Sequence, residues 1–271
     1  FDRLNFAKDS KDRMAIEIMN PLGEDFSVMR TTPLHGLLNS LSTNYNRRNK
    51  DVKLYELANV YRPKTLPLTE LPDERMQFAL GFYGAGDFFV MKGVVEEFFE
   101  RVGLKEKVTY EPHCDRPFLH PGRRADIIYC GKILGYLGEV HPEVAQNYKL
   151  GEKTYIAVLD MPALIPFTSF DIKYTGIAKY PAMTRDISMV VPKEILAGQI
   201  EEVIEKFGGD SLESYALFDI YEGDQIQEGF KSMAYTITFR RKERTLEEKE
   251  VVTAMDAIVN ALKELGISLR A

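Results

Sequence analysis

The chain reads as an α+β protein of two successive domains, and three observations carry that reading. Strand-like segments outnumber helical ones and come in adjacent pairs, the mark of an antiparallel sheet with helices packed on it. The apolar pattern changes near residue 180, with 166–179 as a connecting stretch. Beyond it the segments follow the order β-α-β-β-α-β, the ferredoxin-like arrangement. The expected domains are residues 1–168 and 178–271, and a length of 271 residues leaves each one room for its own core.

In the first domain, residues 14–19 (MAIEIM) alternate like a strand and 20–23 follow as a turn. Thr32 is placed to cap a helix and Pro33 suits its first position. Leu34, Leu37, Leu38, Leu41 and Tyr45 then recur at helical spacing. Residues 52–61 (VKLYELANVY) read as a strand, 63–68 as a loop, and 76–80 as a strand ended by the glycines of 81–86. Residues 88–102 form an amphipathic helix stopped by Gly103. Strands follow at 108–111, 125–129 and 132–140, the last two joined by Cys130-Gly131 as a hairpin turn. A short helix is expected at 142–148, a strand at 154–159 and a helical turn at 162–165.

In the second domain, strands are expected at 186–191, 212–221, 231–240 and 268–270, with helices at 197–207 and 246–265. In such a fold both helices cover one face of the sheet and leave the other free. Strand side chains alternate between faces. Ile187, Met189, Phe218, Ile220, Met233, Tyr235, Ile237, Phe239 and Leu269 are assigned to the helices. The opposite parity gives Ser188, Asp219, Tyr221, Ser232, Ala234, Thr236, Thr238 and Arg270. A tyrosine ring stacks on a nucleobase for roughly 1–3 kcal/mol, and Asp, Ser and Arg hydrogen-bond base edges. Arg240, Arg241, Lys242 and Arg244 offer a local basic patch for phosphates. The same composition also describes the solvated face of any antiparallel sheet, and ferredoxin-like domains also bind metals, amino acids or proteins.

Composition narrows the classes. The chain is 45% hydrophobic and 28% charged with net charge −6, which argues against gripping nucleic acid by bulk electrostatics. Any RNA contact must be local and shape-specific, or helped by another subunit. No apolar run approaches the roughly 18 residues of a membrane helix. The chain opens at Phe1 inside apparently structured sequence, so we expect it to be part of something longer. Two cysteines, Cys114 and Cys130, are too few for a disulfide framework and suit a reduced, cytoplasmic compartment. His113, Cys114, His120, Cys130 and His141 match no zinc spacing. His120 and His141, each followed by proline, read as turn and helix-start residues. Gly81–Gly86 lacks the Lys-Ser/Thr ending of a phosphate loop.

Several phrases resemble one family. Residues 179–188 (KYPAMTRDIS), 217–223 (LFDIYEG), 228–235 (EGFKSMAY) and 238–246 (TFRRKERTL) resemble the ferredoxin-like anticodon-binding (FDX-ACB) domain of bacterial phenylalanine–tRNA ligase β subunits. Residues 29–48 (MRTTPLHGLLNSLSTNYNRR), 54–61 (LYELANVY), 118–123 (FLHPGR) and 135–142 (GYLGEVHP) resemble the class II aminoacyl-tRNA synthetase-like module that precedes it. The two blocks stand in the family's order over almost the whole chain. The resemblance implies the C-terminal part of a β subunit, working in a heterotetramer of two α and two β subunits. That enzyme attaches phenylalanine to its tRNA with ATP and magnesium, at an active site on the α subunit. The fragment is expected to hold no cofactor and no catalytic residue. A working class II site needs an Arg two residues before a strand Glu, and here Leu54 stands two before Glu56. Residues 142–148 lack the helix-borne Arg. The anticodon contacts fall on Tyr221, stacking the first anticodon base, with Asp219, Ser188 and Ser232 on base edges and Arg270 on a base or phosphate. The helix over 34–45 is preferred to that over 88–102 as the element packing on the α subunit. Against this stands a regulatory or protein-interaction module with a ferredoxin-like ligand domain and no RNA role, which the acidic charge favours.

Overall fold

The structure is a computed structural model and describes all residues except 172, 173, 175, 224 and 271. It divides into two compact units, Phe1–Lys173 and Tyr174–Ala271. No helix among the described residues is long and apolar enough to cross a membrane.

The first unit is a six-stranded antiparallel sheet. Its chain order is α1 (Leu34–Asn46), β1 (Val52–Arg62), β2 (Asp73–Tyr83), α2 (Phe88–Arg101), β3 (Thr109–Glu111), β4 (Leu119–Tyr129), β5 (Lys132–Val140), α3 (Pro142–Asn147), β6 (Thr154–Asp160) and α4 (Met161–Leu164). In space the strands run β1-β2-β6-β5-β4-β3. Both faces are covered. The leucine stripe of α1 buries Leu34, Leu37, Leu38 and Leu41 with Ala79, Ile156 and Val158 on one face. On the other, α2 sets Met91, Val95 and Phe99 against Phe82, Leu137 and Ala157. Asp87 caps α2 by accepting from the backbone N–H groups of Phe89 and Val90. His141 caps α3 through Nδ1, 3.3 Å from the Glu143 N–H.

The structure corrects three sequence expectations here. Residues 14–19 form no strand; Glu17 makes an isolated bridge to Val28, and alternation without a partner strand is not enough. Gly81 is not a turn residue but lies inside β2, where a β-carbon would come 3.0 Å from Leu41 Cδ1. Its lack of a side chain lets α1 lie close to the sheet. β4 begins at Leu119, earlier than expected, because a register irregularity between Leu119 and Arg124 absorbs His120-Pro121-Gly122. The leucines of α1 pack on its own sheet. Exposed apolar residues include Tyr55 (74%) and Leu57 (56%) on β1, and Phe89 (68%) and Val94 (46%) on α2. The hairpin at Cys130-Gly131 forms as expected, with both residues at positive φ, as a two-residue turn between twisted strands needs.

The second unit contains β7 (Met183–Pro192), α5 (Ala197–Phe207), β8 (Leu212–Tyr221), β9 (Phe230–Phe239), α6 (Glu248–Glu264) and β10 (Ser268–Leu269). Its sheet order is β10-β7-β9-β8, all neighbours antiparallel. Ile187, Met189 and Val191 of β7 and Met233, Tyr235, Ile237 and Phe239 of β9 pack with Ile200, Ile204, Val251, Ile258 and Leu262 of the two helices. This is the ferredoxin-like arrangement, with one sheet face under α5 and α6.

Candidate nucleic-acid interface

The uncovered face is laid out by register. Ser188 pairs with Ala234, and Asp219 pairs with Ala234 from the other side. These residues form one row across β7, β9 and β8. The next row on the same face holds Val190, Ser232 and Tyr221. Arg270 extends the first row beyond β10, its backbone N–H donating to the Ser188 carbonyl at 2.9 Å.

Three of the expected residues meet at one end. The Arg270 guanidinium lies 5.9 Å from the Tyr221 ring centroid, within cation–π range. Its Nη1 sits 3.4 Å from Ser232 Oγ and its Nη2 3.4 Å from Gln225 Oε1, long contacts that a ligand can displace at little cost. Ser232 is buried (3% exposed), with the Arg270 guanidinium against its hydroxyl. Asp219 is exposed. Between Asp219 and Ser188, Ala234 contributes only a methyl group, so the row is narrow at its centre and polar at its edges. Further along, Thr236 donates to Asp186 at 2.6 Å, which ties up that row internally.

The position of Tyr221 is set by its neighbour. A β-carbon on Gly223 would fall 2.3 Å from Tyr221 Oη and 2.6 Å from Cζ. The ring therefore folds back over the Gly223 backbone at the end of β8.

Alternation missed one residue. Phe218, assigned to the helices, is 59% exposed, and the register slips between Leu217 and Asp219. Phe218 is the extra residue of a β-bulge, opposing Ala234 together with Asp219. Leu217 and Tyr215 pack on the core in its place. Ile220 keeps its register opposite Met233 yet stays half exposed on this edge strand. The apolar positions 215, 217 and 220 change parity, which an unbroken strand cannot do. The basic patch is also corrected. Arg240 pairs with Glu213 at 2.9 Å, Arg241 with Asp210 at 3.8 Å and Arg244 with both oxygens of Glu250. Three of the four basic side chains are thus paired within the unit, while Lys242 is exposed.

The second unit thus presents one aromatic-bearing polar sheet face. It matches the ferredoxin-fold anticodon binding domain over residues 178–270. Residues 1–161 match the phenylalanyl tRNA synthetase beta chain CLM domain. The chain belongs to the phenylalanyl-tRNA synthetase β chain family. It is 42% identical to the phenylalanine–tRNA ligase beta subunit of Clostridium acetobutylicum and 41% identical to that of Clostridium tetani, in each case over 100% of this chain and 34% of the relative. The beta subunit of Symbiobacterium thermophilum is 35% identical over 100% of this chain and 31% of its own length. The chain therefore spans about a third of the curated relatives it matches. A crystal structure of pyrrolysyl-tRNA synthetase from Desulfitobacterium hafniense superposes at TM-score 0.48 with 11% identity, over 60% of this chain and 56% of that one.

Proposed function

We propose that the chain is the C-terminal part of a phenylalanine–tRNA ligase β subunit, supporting the ATP-dependent attachment of phenylalanine to its tRNA in the cytoplasm. The second unit reads the anticodon and the first packs on the catalytic α subunit, two copies of each making the working enzyme. The observation that carries this reading is the convergence of Tyr221, Ser232 and Arg270, beside Asp219 and Ser188, on the uncovered face of a domain matching the anticodon-binding family. Tyr221 stacks on the first anticodon base, while Asp219 and Ser188 receive its edges. Ser232 and Arg270 take an edge or a phosphate once their mutual contact opens. Phe218 offers a second ring on the same strand.

The residues of the first unit do not fit a nucleotide. Leu54 is half-buried against the core where an ATP-holding arginine is needed. Glu56, two residues on, is already paired with Arg30 at 2.5 Å. ATP and magnesium therefore belong, on this reading, to the α subunit. The α subunit meets the exposed Tyr55 and Leu57 of β1 rather than α1. β1 is an edge strand of the sheet, and an uncovered apolar edge is a ready site for a partner.

Tyr221→Ala in the full-length, assembled enzyme tests the anticodon role. The substitution is expected to weaken tRNA binding by roughly 1–3 kcal/mol with the fold intact. Unchanged binding and aminoacylation would sink the reading.

A further inference from the structure

One end of the first unit carries an unneutralised cationic cluster. Arg47, Arg48, Lys50 and Lys53 lie in the α1–β1 connection and the start of β1, and Lys149 and Lys153 in the α3–β6 connection; all six are exposed. The sheet brings the two connections together. Val52 pairs with Tyr83, and Tyr83 with Thr154, so they stand two strand spacings, roughly 10 Å, apart. Tyr45 closes the gap from the end of α1, its Oη 2.1 Å from where a Gly151 β-carbon would be. Within these two segments only Asp51 and Glu152 are acidic.

Two features separate this cluster from ordinary solvated charge. Several other cations of the chain are paired, as in Arg75–Asp160, Arg116–Asp126, Arg123–Glu139 and Arg185–Glu248. Among the described residues, none of the six has a carboxylate within ion-pair reach. Second, the α1–β1 connection is tied to β2 and to the end of α1. Tyr83 Oη donates to the Asn49 carbonyl at 2.8 Å, and the Asn49 amide donates to Asn44 Oδ1 at 2.8 Å. Arg48, Asp51 and Lys149 all sit at positive φ (61°, 52° and 56°), and the other described non-glycine residues that do so are Asn5 and Cys130. At Arg48 and Lys149 this is the left-handed close of α1 and α3, the Asn49 N–H donating to the Asn44 carbonyl and the Leu150 N–H to the Ala145 carbonyl. Unpaired like charges held together repel one another and stabilise nothing in the fold.

We propose that this cluster is a second RNA-contacting surface, gripping the sugar-phosphate backbone of the bound tRNA without reading its bases. The proposal rests on the tRNA-binding reading above. The exposed residues of both loops include no apolar or aromatic side chain. Protein interfaces are built round such anchors and depleted of lysine at their centres, whereas bare Lys and Arg suit phosphate positioning.

The test replaces Lys50, Lys53, Lys149 and Lys153 by alanine, singly and together, in the full-length assembled enzyme. Affinity for a phenylalanine tRNA transcript is measured between about 50 and 200 mM salt. Each contacting lysine lost is expected to lower the slope of log affinity against log salt by about 1. The affinity lost over that salt range then shrinks roughly threefold per contact, while discrimination against an altered anticodon stays as it was. An unchanged slope in the fourfold variant would overturn the proposal. So would an unchanged slope with weakened subunit assembly, which would make the surface a protein contact. Tyr221→Ala in parallel separates the two ideas: a lowered slope in the lysine variants beside a silent Tyr221→Ala supports the backbone contact and removes the anticodon reading.

Discussion

The ring of Tyr221 occupies the space a β-carbon on Gly223 would need. Gly223→Ala therefore separates position from presence. The clash is with the far end of a side chain, so the ring moves and the fold survives. We expect a change in unfolding free energy below about 1 kcal/mol, as for surface substitutions outside packed sites. Anticodon stem-loop binding should fall about as far as in Tyr221→Ala, because the platform is displaced. Wild-type binding by Gly223→Ala would show that the folded-back ring is not the binding position. Tyr221 and Asp219 were legible in the sequence because alternation assigned them to the face that the structure leaves open. Phe218 was not, since a bulge adds one residue and reverses parity. Ser232 was legible by parity alone; its burial beneath Arg270 is a tertiary fact.

At the scale of elements, the start of α6 shows how the unit spends its charge. Arg244 grips Glu250 with two hydrogen bonds of 2.7 and 2.6 Å, and the Glu247 N–H donates to the same carboxylate at 3.0 Å. These bonds to the charged form hold the Glu250 carboxyl at about 2, below its ordinary 4.5. The sign follows. A depressed carboxyl pKa favours the folded state above pH 4.5, and that contribution is lost as pH falls from 4.5 toward 2. Arg244→Leu should return the Glu250 titration, followed by carboxyl carbon NMR, toward 4.5. A midpoint still near 2 would assign the shift to the helix N-terminus instead. Sequence patterning located α1, α2, α5 and α6, whose apolar stripes repeat cleanly. It failed where structure depends on a distant partner. The basic run 240–244 read as a phosphate patch because Glu213, Asp210 and Glu250 come to it only through the fold.

At the scale of the molecule, the chain carries net charge −6, and the two proposed RNA surfaces work by different physics. The face of the second unit is nearly neutral and depends on stacking and edge hydrogen bonds, so its contribution is specific and weakly salt-dependent. The cationic end of the first unit is salt-dependent and blind to sequence. Each unit has its own core, and the two-domain organisation was visible in the sequence as a change of apolar pattern. The resemblance to the β-chain family was legible only through phrases such as 217–223 and 118–123, because no physical rule reads a family from composition or periodicity. The most direct test of base reading is a double-mutant cycle in the assembled enzyme. Aminoacylation kcat/KM is measured for wild type and Tyr221→Ala, each with phenylalanine tRNA and with tRNA changed at the first anticodon base. If Tyr221 stacks on that base, the two changes are non-additive, and Tyr221→Ala loses much of the preference for the cognate tRNA. If the preference is the same with and without the ring, Tyr221 does not read the base.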